Sequence, residues 1–142
     1  MSRRGVGARL LRVEAEAAVF APLIDALAAV GRRCGWLDLA TPPVPPPDLE
    51  TAAGLGALRA VAAGGGWTVA VKRVKGALVL RDLLREHFAG CDLVLVKGEV
   101  EAAALAPSEG GFWVVKPVAG DARRLTTEEL ARRLRRPGWP EA

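Results

Sequence analysis

Hydrophobic and polar residues first alternate in "ARLLRVEAEA", residues 8–17. Leu11, Val13, Ala15 and Ala17 share one side; Arg12, Glu14 and Glu16 share the other. A period of two predicts a half-buried strand, although the Ala and Glu content leaves a helix open. The period lengthens in "FAPLIDALAAVGRRCG", where Leu23, Ile24, Leu27 and Val30 form one helical face. Pro22 suits the first turn, and Arg32 and Arg33 lie near the carbonyl end before Gly35. "LETAAGLGALRAVAAGGG" reads as a second helix, capped by Asp48 and stopped by three glycines, with Gly54 and Gly56 weakening it.

Three further segments set the expected sheet. "WTVAVKRV" has the β-branched and aromatic character of a strand, "GALVLRDLLREHFAG" that of a helix, and "CDLVLVKG" is apolar almost throughout. A strand apolar on both faces belongs inside a parallel or mixed sheet. These three together predict a βαβ unit at 67–98. "EVEAAALAP", the turn "SEGG" and "FWVVKP" predict a C-terminal β-hairpin. In "RLTTEELARRLRRPGWP", Thr126 and Glu129 are spaced as a capping box, with Leu125 and Leu130 as the hydrophobic staple of a terminal helix. The fold class expected is therefore α/β (or α+β), a mixed sheet in a single domain spanning residues 1–142.

Proline interrupts this pattern once. "TPPVPPPD", residues 41–48, has five prolines in eight positions, which neither a helix nor a central strand survives. It reads as a rigid, extended connector, or else as a docking segment for an aromatic groove on a partner.

Composition changes the picture in three ways. Of 142 residues, 16 are Arg and 4 Lys, and Asn, Gln and Tyr are missing; avoiding labile amides gives the chain a thermophile-like composition. The net charge of +4 belongs to the two ends, since residues 13–122 hold ten basic and thirteen acidic groups. A uniformly basic nucleic-acid binder would look different. Cys34, Cys91 and a single histidine provide no zinc framework, so no metal and no cofactor is expected. The twin arginine of "SRRGVG" is followed by a run broken by Arg12, Glu14, Glu16 and Asp25, unlike a signal peptide, and no apolar run reaches membrane-span length. The expected setting is cytoplasmic, with no membrane.

Candidate chemistry concentrates in residues 71–98. If the strands at 67–74 and 91–98 are parallel neighbours, their carboxyl ends share the edge where open α/β sheets bind ligands. Lys72, Arg73, Lys75 and Lys97 would then converge there, with Gly76 opening a helix whose unpaired amides attract anions. A phosphate, nucleotide or carboxylate is the expected ligand, although alternation puts Lys72 on the face opposite Arg73 and Lys75. His87 falls on the stripe formed by Leu80, Leu83, Leu84 and Phe88, where a histidine is more often core than catalytic. It is nevertheless the one acid–base candidate for an enzyme acting on a phosphorylated or carboxylated metabolite. Glu99 and Glu101 alternate on one strand face beside the lysines, a pair open to a metal or to ion pairs with those lysines, with ion pairs the expected outcome. Arg132, Arg133, Arg135 and Arg136 would serve a nucleic-acid accessory, but local helix pairing and the macrodipole already account for them.

"AGCDLVLVKGEVE" resembles the strand of molybdopterin-guanine dinucleotide biosynthesis adaptor proteins, in which an apolar run after Asp ends in an acid and Gly. Lys97 stands in place of that acid, and the N-terminal phosphate loop of that family is missing, so the resemblance implies no activity. The reading that remains is a non-catalytic ligand- or partner-binding domain with a basic anion-binding edge. Trp36 and Trp139, in or beside irregular segments, suggest a homo-oligomer.

Overall fold

The central strand of the sheet is the apolar one. In the computed structural model, which describes residues 8–141, β5 (Leu93–Lys97) lies between β1 (Arg9–Val13) and β2 (Cys34–Asp38). It is parallel to both and in register with each over all five residues. Val94, Leu95 and Val96 are fully buried, as an apolar run flanked on both sides requires. Beyond β1 the sheet continues with β6 (Ala103–Pro107), parallel to β1. β7 (Phe112–Lys116) and β8 (Arg123–Thr126) then follow, both antiparallel. The order β2-β5-β1-β6-β7-β8 is a mixed six-stranded sheet of the α/β class.

Paired residues point to the same side, so Leu11, Val13, Leu93 and Leu95 line one face with Trp36. Two helices cover that face: α1 (Ala21–Ala29), through Leu23 and Leu27, and the terminal helix α4 (Thr127–Arg133), through Leu130 and Ala131. The Phe20 ring sits 5.6 Å from Trp113 and 5.9 Å from Trp36, between the helix layer and the sheet. The opposite face carries Gly35 and Val94, and the ring of Phe88 lies against Gly35. That aromatic follows α3 (Leu80–His87).

Local signals built several of these elements as expected. Pro22 occupies the first turn of α1, and Thr126 and Glu129 form a reciprocal capping box at α4, with bonds of 3.1 and 2.9 Å. "SEGG" turns the β6–β7 hairpin, where Gly110 and Gly111 take the positive φ values (71° and 78°) that favour glycine. Others differ. Gly and Asp in "CGWLD" conceal β2, and the short "RRLT" of β8 was absorbed into the terminal helix signal. Residues 60–64, read as the tail of a helix, form β3 (Ala60–Gly64), paired antiparallel with β4 (Trp67–Val71). The three glycines are thus a hairpin turn, with Gly65 and Gly66 at φ of 59° and 86°. Helix α2 (Pro47–Gly54) is accordingly shorter than expected. Pro46, not Asp48, precedes it, and Asp48 lies in its first turn.

The largest correction concerns the βαβ unit. β4 pairs only with β3, in a separate two-stranded sheet, and is not a parallel neighbour of β5. Both sides of β5 are occupied along its whole length by β1 and β2, so no position remains for β4.

Contacts divide the chain into two compact units. Of the described residues, one comprises 8–41 and 81–141 and contains the six-stranded sheet; the other, Pro42–Leu80, opens with the proline-rich segment and contains α2, β3 and β4. Trp36 is a strand residue packed on the core, and Trp139 is only 6% exposed, so neither is the exposed anchor that suggested self-association. Among the described residues no helix is long and apolar enough to cross a membrane. The twin arginine of "SRRGVG" lies outside the described residues.

Candidate functional site

The carboxyl ends of β1, β2 and β5 form the edge where a parallel sheet is expected to bind. A cavity of about 220 Å³ lies there, lined by Arg12, Glu14, Ala40, Lys97, Gly98 and Glu99 among others. Lys97 is already engaged in an ion pair. Its side chain is only 15% exposed, and its ammonium group bonds the Glu16 carboxylate at 2.7 Å. That hydrogen bond, followed by the attraction of Glu16 and Asp38 against some desolvation, raises the Lys97 pKa above its ordinary value. Asp38 accepts from the backbone N–H groups of Thr41 (3.0 Å) and Ala40 (2.8 Å), and these two bonds hold its carboxyl below the usual range. The expected partnership of lysines with Glu99 and Glu101 is replaced here by Glu16. Arg12 and Lys97 are balanced by Glu14 and Glu99 along the cavity wall. The charges lining this edge thus sum to zero.

The other predicted cations lie in the Pro42–Leu80 unit. A cavity of about 670 Å³ opens there, lined by Gly54, Gly56, Leu58, Arg73, Lys75 and Gly76 among others. No acidic side chain lines it. Among the described residues, Arg73 and Lys75 make no hydrogen bond or ion pair. They lie just beyond β4 with one residue between, and both line the cavity. The wall opposite is the end of α2. An ideal Cβ on Gly54 would stand 4.0 Å from an Arg73 guanidinium nitrogen, ordinary van der Waals contact, so the arginine lies beside the helix end. The C-terminal end of a helix favours a cation, which gives Arg73 a resting place without consuming its charge.

Of the five binding residues predicted together, three share this cavity. Lys97 lines the other one, and Lys72 is an exposed residue that engages other groups. Gly76 plays a different part from the one expected. It lies four residues before α3 begins at Leu80, in a turn at φ 75°, and offers no helix N-terminus. His87 is exposed rather than part of the core, its ring 6.5 Å from that of Phe88. No group of His, Cys, Asp and Glu among the described residues would hold a metal.

Arginine serves a structural purpose at the C-terminal end of α4. Arg9 donates to the carbonyls of Leu134 (2.7 Å) and Arg136 (2.6 Å), and Arg32 to that of Arg135 (3.0 Å). Carbonyls left over by the helix are thereby satisfied. Burial, with the neighbouring Arg32 charge, lowers the Arg9 pKa. Arg132, Arg135 and Arg136 are exposed and Arg133 half-buried. Nothing in the spacing of residues 9 and 134 signals this long-range capping, which sequence reasoning missed. No protein-family model matches the chain, and no curated protein matches it either.

Proposed function

We propose that the protein is a non-catalytic binding module whose site for an anionic group is the cavity at Arg73 and Lys75. The single observation that supports it most is the pairing of two uncommitted cations with a wall that carries no acid. A phosphate or carboxylate entering there would exchange its water for two charge-assisted hydrogen-bonding groups, with Arg73 able to offer a bidentate fork. The cavity is open and part apolar, which suits a small anion attached to a larger body. His87 is exposed and makes no hydrogen bond or ion pair among the described residues, so the reading gives it no chemical step.

Calorimetric titration with inorganic phosphate tests this. Binding that weakens steeply with salt and is lost in the double variant R73Q/K75Q, while the variant's melting is unchanged, is the expected result. Equal binding by the variant would refute the site. Binding lost instead on neutralising Arg132, Arg133, Arg135 and Arg136 would favour a nucleic-acid accessory.

A further inference from the structure

The Pro42–Leu80 unit exposes its apolar surface to an unusual degree. Eight of the chain's large exposed hydrophobic residues fall within positions 55–79, among them Leu55 (84% exposed), Leu58 (80%) and Trp67 (79%). Only Ala53 and Ala60 are buried in this unit. The hairpin of β3 and β4, "AVAAGGGWTVAV", has no charged side chain in twelve residues and only one polar one, Thr68. It has no further strand on either edge. Immediately outside it come Arg59 on one side and Lys72, Arg73 and Lys75 on the other, and residues 55–80 include no acid at all. Helix α2 packs against both strands, yet Val61, Trp67 and Val69 of the hairpin stay exposed.

Charge and residue type select among the partners. A second copy in a symmetric contact would set these cations against themselves. Single-stranded nucleic acid is held by stacking on aromatic rings, and Trp67 is the only aromatic residue between 42 and 80, the other large exposed hydrophobic residues there being aliphatic. Aliphatic surface, one tryptophan beside a glycine turn, and cations grouped at the far end match an anionic phospholipid surface. At about 3.4 Å per residue, β4 sets Trp67 about 14 Å from Val71. The headgroup layer is only about 5–8 Å deep on each side, so a hairpin lying along the surface, not standing on its tip, brings Trp67 to the acyl boundary and Lys72, Arg73 and Lys75 to the phosphates.

We infer that the β3–β4 hairpin docks shallowly on bilayers containing anionic phospholipid, with lipid phosphate taken by Arg73 and Lys75. The inference rests on the anion site proposed above. It goes beyond the expectation of no membrane, which followed from the lack of a spanning segment and did not address a surface contact. Because the backbone groups on both hairpin edges must keep their hydrogen bonds, docking stays in the hydrated headgroup layer and does not span.

The test uses the full chain with vesicles of phosphatidylcholine alone, or with an equal share of phosphatidylglycerol. Sedimentation should show binding to the anionic vesicles only, weakened roughly 30-fold by R73Q/K75Q. Lipids with brominated acyl chains should quench tryptophan emission in the wild type and fail to do so in W67F. Vesicle binding that ignores lipid charge or the R73Q/K75Q change, or that leaves Trp67 unquenched, overturns the inference. Phosphate binding without vesicle binding overturns it too, yet leaves the anion site standing; loss of phosphate binding itself removes both. A dimer seen by light scattering and dissolved by W67S would identify a second copy as the hairpin's partner and refute the bilayer.

Discussion

Replacing Gly35 by alanine probes how the second face of the sheet is closed. Gly35 lies within β2, opposite Val94, and no left-handed backbone angle requires glycine there. Alanine in a strand interior would ordinarily stabilise by roughly 0.5–1 kcal/mol through lost unfolded-state freedom. Space opposes this. The new Cβ would stand 2.6 Å and 2.9 Å from two carbons of the Phe88 ring and 3.2 Å from the Cys91 sulfur. The first two distances lie well inside van der Waals contact, so the ring must move out of its packed position. Overpacking of this kind costs about 1–3 kcal/mol. The clash therefore outweighs the entropic gain, and a net loss of about 1–2 kcal/mol is expected. Urea denaturation followed by far-UV circular dichroism would read it as a lower midpoint with an unchanged slope. Shortening the ring in Phe88→Leu should make Gly35→Ala close to neutral. A double-mutant cycle over the two positions should accordingly return a coupling of about 1 kcal/mol or more. If Gly35→Ala stabilises the protein, or if the cycle closes with no coupling, Phe88 does not seal this face.

Two further predictions concern local chemistry. Thr126→Ala removes one arm of the capping box and should cost about 1 kcal/mol in the same denaturation assay. Backbone and side-chain bonds to Thr126 hold the Glu129 carboxyl below its usual pKa. Its contribution is thus complete above the unfolded-state value and fades as pH falls through the folded one, so the wild type should lose stability in acid more steeply than Thr126→Ala. Burial, with Cys91 nearby, pushes the Cys34 thiol up to about 11. Native protein at neutral pH should therefore alkylate at Cys34 far more slowly than a free cysteine, as mass spectrometry of the labelled peptide would show; rapid labelling would contradict its burial.

Much of the larger unit was legible because its signals are local. Four consecutive apolar residues in "LVLVK" announce a strand covered on both faces. Thr126 with Glu129, Pro22, and the glycines of "SEGG" each bring their own geometry. What sequence could not reveal was pairing. Whether β5 meets β4 or enters between β1 and β2 depends on competition among distant strands, and no local pattern encodes it. "AVAAG" reads as helix because alanine favours helices; its strand state comes from pairing with β4 across the glycine turn. The candidate site divided along the same line. Arg73, Lys75 and Gly76, adjacent in sequence, share a cavity, whereas Lys97 is engaged by Glu16, eighty-one residues away.

The anion site itself is tested most directly by residue-resolved NMR during a phosphate titration. Backbone amides of Gly54, Gly56 and Gly76 line the cavity and should shift together along one saturable curve, while Gly98, at the neutralised carboxyl edge, stays unchanged. Shifts at Gly98 that saturate while those three glycines stand still would place the anion at the parallel-strand edge and contradict the account.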